Sequence, residues 1–434
     1  MRVRLNAEKT QFSCVVEIEH RRVLELLPPR RQLAAEIARW STFGSAAAIL
    51  FSIAASQILL GIALAALLLS GLPLRLPRIK WALGLFLLGT VIALLSSGEP
   101  SHGLAQLKKF YVFTELLAVF STMRDWRFVR WVVLVWGAFG SLDAIRGFIQ
   151  FISKLQEAHA EGVTGAGFYT FYISHRITGF MSHWNTFSEE EMYALLMLAA
   201  FVFFSPRWRK RAWIWVVLLC FLALAVLLAE TRGVWIGTVA GALYLVWFWR
   251  RKLILAVPIV VAIAFFVSPP TVRERILSIG KPKVEDSNEF RRITWRTGLA
   301  MIKAHPVLGI GPDGPKYHFQ EYIPADIPRP LPVGFYQHLH NIYLQWAAER
   351  GIPVALIGLW MLFQILYDFG RGLRGLAPGR DPRRFILHGA IAVWIATMIE
   401  GFVEVNLGDT EPLTMFLVVV ACGYLALEKD VLVD

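Results

Sequence analysis

The stretch Ala212-Trp213-Ile214-Trp215-Val216-Val217-Leu218-Leu219-Cys220-Phe221-Leu222-Ala223-Leu224-Ala225-Val226-Leu227-Leu228-Ala229 carries no charge. Glu230-Thr231-Arg232 follows it, and a second apolar run extends from Gly233 to residue 249. A helix rises about 1.5 Å per residue, so about 20 apolar residues cross a hydrocarbon core roughly 30 Å thick. Each run is close to that length. Lipid offers no water to the backbone, so each reads as a membrane helix. A charge stranded at such a depth costs several kcal/mol, which makes Arg232 a functional candidate from the outset.

Working outward, similar runs occupy 42–57, 58–73, 80–98, 103–123, 128–151 and 188–205 on one side. On the other they occupy 252–269, 341–367, 384–403 and 411–428. With 212–229 and 232–249 this predicts about twelve spans. The first two form one apolar stretch, too long for a single helix, which predicts a hairpin near Ser56. Composition agrees. Of 434 residues, 56 % are hydrophobic and 18 % charged, well under the quarter typical of soluble domains. Sixteen Trp and thirty Phe supply the aromatic load expected at bilayer interfaces. Disorder, coiled coil, collagen and disulfide-stapled scaffolds are excluded. Cys14, Cys220 and Cys422 are too few and too scattered for a disulfide framework or a zinc cluster. Cys220 and Cys422 read as small buried hydrophobes.

Positive charge sets the expected orientation. With the N-terminus inside, cytoplasmic loops carry Arg75, Arg78 and Lys80; Arg124, Arg127 and Arg130; and Arg207, Arg209, Lys210 and Arg211. Further cytoplasmic sets are Arg250, Arg251 and Lys252, and Arg371, Arg374, Arg380, Arg383 and Arg384. The short opposite loops, 97–101 and 405–411, carry acids instead. The expected organisation is therefore an all-α polytopic membrane protein. A cytoplasmic segment 1–40, with Arg21, Arg22, Arg30, Arg31 and Arg39 and no signal-peptide core, precedes spans one to nine over 41–267. A loop at about 152–187 and a larger, mainly helical one at 268–340 face the other side, and 341–434 holds the last three spans.

The larger loop contains an amphipathic stretch, 290–304, with Trp295, Leu299 and Ile302 at helical spacing. Its cations Arg273, Arg275, Lys281, Lys283, Arg291, Arg292, Arg296 and Lys303 break the positive-inside trend, which points to an anionic substrate. Arg232, Asp143 with Arg146, Lys108 with Lys109, and Glu400 with Glu404 fall at one depth near the outer ends of their spans. That predicts a lined polar cavity. Snorkelling to the interface is the bland alternative for each.

Gln337-His338-Leu339-His340-Asn341 opens the tenth span. Imidazole ordinarily exchanges its proton near pH 6.5, so a histidine there can act as a general base. The alternatives are an interfacial histidine and a metal ligand, with His318 and Glu321 as further donors. No His-Glu-x-x-His spacing or cysteine pair supports metal. Gly309-Ile310-Gly311-Pro312-Asp313-Gly314 fits a dinucleotide pattern but follows a helical stretch and contains Pro312, so it reads as a tight turn. No Walker lysine motif occurs. The net charge of +12 is explained by the loops and implies no nucleic-acid partner.

Four motifs in order resemble the O-antigen ligase and polymerase superfamily of bacterial envelope glycosyltransferases. They are Arg176-Ile177-Thr178-Gly179-Phe180 with Asn185; Thr231-Arg232-Gly233; Arg291 with Trp295, running on to Pro306-Val307-Leu308-Gly309-Ile310-Gly311; and His340-Asn341 with Glu349 and Gly351. Ala355 departs from the small residue (usually Gly, Thr or Tyr) that closes the last motif. The resemblance covers roughly 176–360 and implies a fold similar to C-type glycosyltransferases.

Such a family implies transfer of polysaccharide from undecaprenyl pyrophosphate to a sugar hydroxyl of lipid A-core. The reaction would run at the periplasmic face of the inner membrane, without metal or cofactor. On that basis His340 is the expected base, and Arg232 and Arg291 the pyrophosphate clamp. His338, Arg292 and Arg176 are second-tier candidates. Donor lipid, acceptor lipid and membrane lipids are the expected partners. An O-antigen or exopolysaccharide polymerase, or a protein O-oligosaccharyltransferase, would share donor and site; the chain's end soon after the twelfth span favours the ligase. A transporter of lipid-linked sugar would need charges at the midplane and an internal repeat, neither of which is found.

Overall fold

The computed structural model describes residues 28–163, 166–205, 212–268, 270–277, 287–332, 334–377 and 381–428, and these form helices and turns without strands. Expectations on Cys14, Arg21, Arg22, Arg207, Arg209, Lys210, Arg211, Lys281, Lys283 and Arg380 lie outside the described residues.

Helices α1 (Pro29–Ala48) and α2 (Ile53–Ser70) pack against each other as a hairpin. The hairpin turns at residues 49–52, earlier than Ser56. The Ser52 hydroxyl accepts the amide of Ala55 at 3.3 Å and so starts α2 by capping it. Ser56 lies inside α2, where its hydroxyl donates to the Ser45 carbonyl at 3.0 Å. Helix α1 thus begins well before the expected first span, its first turns covered by arginines.

Helix α3 (Lys80–Ser96) matches its span, but 103–123 is broken into α4 (Pro100–Lys108) and α5 (Phe110–Thr122). The break is at Lys109, whose ammonium reaches the Gly408 carbonyl. Helix α6 (Trp126–Ala160) overruns its span, and α7 (Ala166–Ser174) occupies the first loop before α8 (Trp184–Phe204). Then come α9 (Ala212–Leu228) and α10 (Arg232–Arg250). The run at 252–269 is a 3-10 turn, Arg251–Ala256, and α11 (Val257–Val267). The 11 residues of α11 rise only about 16 Å, half a bilayer core. Helices α12 (Pro270–Leu277), α13 (Ser287–Ala304) and α14 (Gly314–His318) lie in the larger loop, helical only in part. Helices α15 (Ile342–Gly375), α16 (Arg383–Glu400) and α17 (Thr410–Leu425) close the chain.

Among the described residues, three helices (α2, α6 and α15) are long and apolar enough to cross a membrane. Lys80–Ser96, Trp213–Leu228 and Thr410–Leu425 are shorter apolar helices. This is the architecture of a helical membrane protein, with a smaller set of evident spans than the sequence predicts. Large apolar side chains such as Leu69, Trp81, Trp213, Ile259 and Phe363 are exposed on the outside, as a lipid-facing surface requires. Cys220 belongs to that exterior, whereas Cys422 is buried as expected.

The main core gathers α5, α6, α8, α15, α16 and α17 around Trp136, Tyr193, Phe369 and Trp394. Two backbone devices position the site. Gly233, Gly237 and Gly241 repeat every four residues along α10, and ideal Cβ atoms on the last two would sit 2.7 and 2.8 Å from carbonyl oxygens of Ala396 and Ala392. Close approach through small residues therefore locks α10 against α16. The second device is a break inside α15 at Gly351, with φ +79° and ψ 164°, a region only glycine occupies freely. The loop 306–311 seats in this break. The amides of Ile310 and Gly311 donate to the carbonyls of Ala348 and Glu349 at 2.8 and 3.0 Å, and the Ile352 amide donates to the Pro306 carbonyl at 2.8 Å. The glycine-rich stretch is indeed a turn, and its function is to fasten the outer loop to α15.

Candidate active site

His340 is fixed by its neighbours on both sides. Asn341 caps α15: its Oδ1 accepts the Leu344 amide at 3.0 Å, and its Nδ2 donates to the Phe402 carbonyl at 3.0 Å. This holds His340 at φ +47°, uncommon outside glycine. Trp295 Nε1 donates to the His340 carbonyl at 3.2 Å, tying α13 to the same residue. The ring has an oxygen at each nitrogen: Glu404 Oε1 lies 2.9 Å from Nδ1, and the Phe335 carbonyl lies 3.2 Å from Nε2. The Glu404 carboxylate and the Phe335 carbonyl are both acceptors, so each ring nitrogen faces one; Nδ1 donates to the charged partner, and Nε2, on the longer contact to a neutral oxygen, is the nitrogen open to exchange.

Glu404 joins the histidine to the arginines. Its Oε2 lies 3.6 Å from an Arg291 guanidinium nitrogen, and Arg291 Nε donates to the Val403 carbonyl at 3.1 Å. Burial alone would push the Glu404 carboxyl up, but His340, then His338 and Arg291, hold it at about 2. Arg232, the first residue of α10, comes to the same place because Gly233 abuts Val403. Arg232, Arg291, Arg292 and Arg296 line one cavity of about 450 Å³ with Ile236, Trp295, Leu299 and Val403. Arg292 lies at its exposed edge, paired with Glu289 at 2.7 Å.

His338 faces a second cavity, of about 260 Å³, that also receives Gln106, Lys109, Lys316, Gln345, Glu349 and Glu404. Burial, with His340 adding to it, lowers His338 to about 4. The sequence predicted one polar cavity at a common depth. The structure divides those residues instead. Lys109 and Glu404 line the second cavity and Arg232 the first, while Arg146 stacks on Phe180 at 4.7 Å. The amphipathic stretch is also rotated from the expectation: Phe290, Ile293, Thr297 and Met301 form its buried face, and Trp295 and Leu299 line the arginine cavity.

Arg176 occupies a separate layer. Its guanidinium donates to the carbonyls of Ile173 at 3.1 Å and Glu230 at 3.3 Å, and stacks on Trp184 at 4.3 Å. Burial, with Arg275 adding to it, lowers it to about 9. Arg275 donates to the same Glu230 carbonyl at 3.2 Å, so both arginines brace the turn that introduces Arg232. Gly179, with φ +57°, completes this loop: a Cβ there would fall 2.1 Å from Asp143 Oδ1, which accepts the Phe180 amide at 2.5 Å.

Sequence reasoning missed three features. Glu404 was singled out as a polar residue but not as the partner of His340, from which it is 64 positions away. His183 caps α8 by accepting the Asn185 amide at 3.1 Å, and burial lowers its pKa within reach of Glu404 and His340. Glu189, Glu190 and Glu191 are all fully buried in α8; three adjacent acids in an apolar run were the available signal. The metal reading also regroups. Glu404, not His318 or Glu321, stands with His338 and His340, their ligand atoms within 4.8 Å of one another, so this trio could hold an ion.

Residues 217–359 match the model of the family described as O-antigen ligase. That match covers 143 of the 434 residues. No curated protein matches the chain. The matched segment contains Arg232, Arg291, His338, His340 and Gly351; Glu404 joins the site from outside it, and Arg176, also outside, braces the turn before Arg232. The match agrees with the resemblance drawn from the motifs.

Proposed function

We propose that this protein is an O-antigen ligase that moves polysaccharide from undecaprenyl pyrophosphate to a sugar hydroxyl of lipid A-core at the periplasmic face of the inner membrane. The observation that carries this reading is the continuous relay from His340 through Glu404 to Arg291, at the wall of the arginine cavity that Arg232 also lines. The loop charges support an inside N-terminus and about twelve apolar segments crossing or entering the bilayer, α11 reaching about half-way.

Arg232 and Arg291 bind the pyrophosphate through planar, permanently charged forks. Arg292 extends the clamp at its rim, and Arg176 braces the turn before Arg232. His340 Nε2 first loses to water the hydrogen it shares with the Phe335 carbonyl; the acceptor hydroxyl then takes that carbonyl's place and gives its proton to the freed nitrogen. Its oxygen attacks the anomeric carbon as the bond to the pyrophosphate oxygen breaks, inverting the centre. Glu404 stabilises the imidazolium, and the arginines take up the charge growing on the leaving group. No metal is needed in this scheme because guanidinium groups neutralise that charge.

The test is reconstitution of the purified protein in EDTA with undecaprenyl-pyrophosphate-linked glycan and lipid A-core, read on a gel. Wild type should build ladders that His340→Ala loses. Arg232→Lys should fall nearly as far as Arg232→Ala, because lysine cannot form the fork; near-full ligation by the lysine variant would remove the clamp. Glycan lengthened on the donor lipid, with none on lipid A-core, would reassign the chain to a polymerase. No transfer to any acceptor would reopen the transporter reading.

A further inference from the structure

Away from the relay, α4 and α14 bring two histidines and a carboxylate to one place. Glu99, His102 and His318 hold ligand atoms within 4.8 Å of one another, and none of the three belongs to the relay. Neither chain segment has this set alone: Glu99 and His102 flank the start of α4, and His318 ends α14. The geometry points to a three-ligand transition-metal site, of the zinc type, formed by Glu99, His102 and His318 with the fourth position left to water.

Three observations support it. The Glu99 carboxylate lies 2.8 Å from His102 Nδ1, yet that nitrogen is buried and makes no aligned hydrogen bond. At 2.8 Å the two atoms are in direct i,i+3 contact, which an ion would open to the roughly 3.4 Å between tetrahedral zinc ligands. His318 Nδ1 lies 3.0 Å from Glu321 Oε1, which leaves Nε2 for an ion and supplies the carboxylate that commonly orients a ligating histidine. The His102 ring is held flat against Tyr317, centroids 3.9 Å apart at 13°. Imidazole nitrogen favours zinc-type ions over magnesium.

The site would fasten an interface already built. Gln106 Nε2 donates to Asp313 Oδ1 at 2.6 Å, and a Cβ on Gly103 would lie 2.7 Å from the Pro312 carbonyl. An ion there clamps α4 onto 312–318, the segment whose Asp313 and Lys316 line the second cavity. The site is independent of the transfer chemistry and would stand or fall without it.

The experiment is equilibrium dialysis of the purified full chain against zinc, with metal analysis and a thermal melt. Wild type, His102→Ala/His318→Ala, Glu99→Gln and His338→Ala/His340→Ala run side by side. The expected result is loss of about one bound zinc, and of the zinc-induced rise in Tm, in the first double variant, with weaker binding in Glu99→Gln. Magnesium should give no rise in any of them. A single size-exclusion peak and a metal-free Tm in EDTA equal to the wild-type value check that it is folded. Unchanged zinc binding in that variant overturns the proposal, as does loss confined to His338→Ala/His340→Ala or a wild type that binds none.

Discussion

His340 has a charged partner, Glu404, on one nitrogen and a neutral carbonyl, of Phe335, on the other, and that asymmetry makes Glu404 worth testing. Glu404→Gln keeps an acceptor oxygen but loses the charge, and its amide can turn to present N–H to Nδ1, which forces the wrong tautomer. Turnover should fall on the order of 10²-fold with KM for donor and acceptor moving far less. Turnover near the wild-type rate at matched expression would deny Glu404 this role. Acid conditions give a second residue-scale test. In the folded chain His338 binds its proton at about 4, against an ordinary 6.5. The unfolded chain therefore takes up that proton first, so this group's contribution to stability is full above 6.5 and is lost as pH falls to about 4. Melts across that window should show Tm falling with pH in wild type and a shallower slope in His338→Gln, the remainder coming from His183, which burial also lowers. A slope that His338→Gln leaves intact would assign the acid limb elsewhere.

At the scale of elements, α15 tests how far its break at Gly351 is required. A Cβ there would fall 2.0 Å from the Val307 carbonyl oxygen, on top of the unfavourable backbone, whereas one on Gly370, later in the same helix, would meet nothing within 4 Å. Gly351→Ala should cost about 3 kcal/mol or more and loosen the outer loop; Gly370→Ala should be neutral or stabilising by up to about 1 kcal/mol. Equal melting points for the two variants would sink the idea that loop 306–311 depends on the break. This pair also marks what the sequence could convey about elements. Apolar runs located most helices and the charge at Arg232, because hydrophobic content is local. They could not reveal the break in α15, the offset at Lys109 or the shortness of α11, because each depends on a backbone turn or a distant carbonyl that a run of hydrophobic letters does not encode. The glycine repeat 233/237/241 was legible in principle as a close-packing face.

For the whole molecule, the candidate site lies where chain segments far apart in sequence converge, which is why its parts were readable and their assembly was not. His340, Arg232 and Arg291 stand out alone as residues; that Glu404 would couple the first to the last needed α16 to be placed. The placement has a consequence for substrate handling. Val403 lines the arginine cavity and Glu404 the cavity of Lys109, Lys316 and His338, so two adjacent residues form a wall between two spaces. The first has four guanidiniums beside the exposed apolar side chains of Ile236 and Leu299, the surface a lipid pyrophosphate would use. The second sets amides, carboxylates, ammonium groups and Trp346 among apolar side chains such as Phe86, Phe110 and Leu413, a mix that would suit a sugar under the proposed reaction. Under the proposed reaction, donor and acceptor would therefore approach His340 from opposite sides of that wall. Arg292→Ala should raise the donor KM, and Lys316→Ala the acceptor KM, each about tenfold, the loss of one charged hydrogen bond. Each variant should leave the other substrate's KM and the turnover at saturation near wild type. Initial rates over a grid of both substrate concentrations separate the two constants. If Lys316→Ala moves the donor constant, or both constants move together in either variant, the two cavities do not divide the substrates and the wall at Val403 and Glu404 has some other purpose.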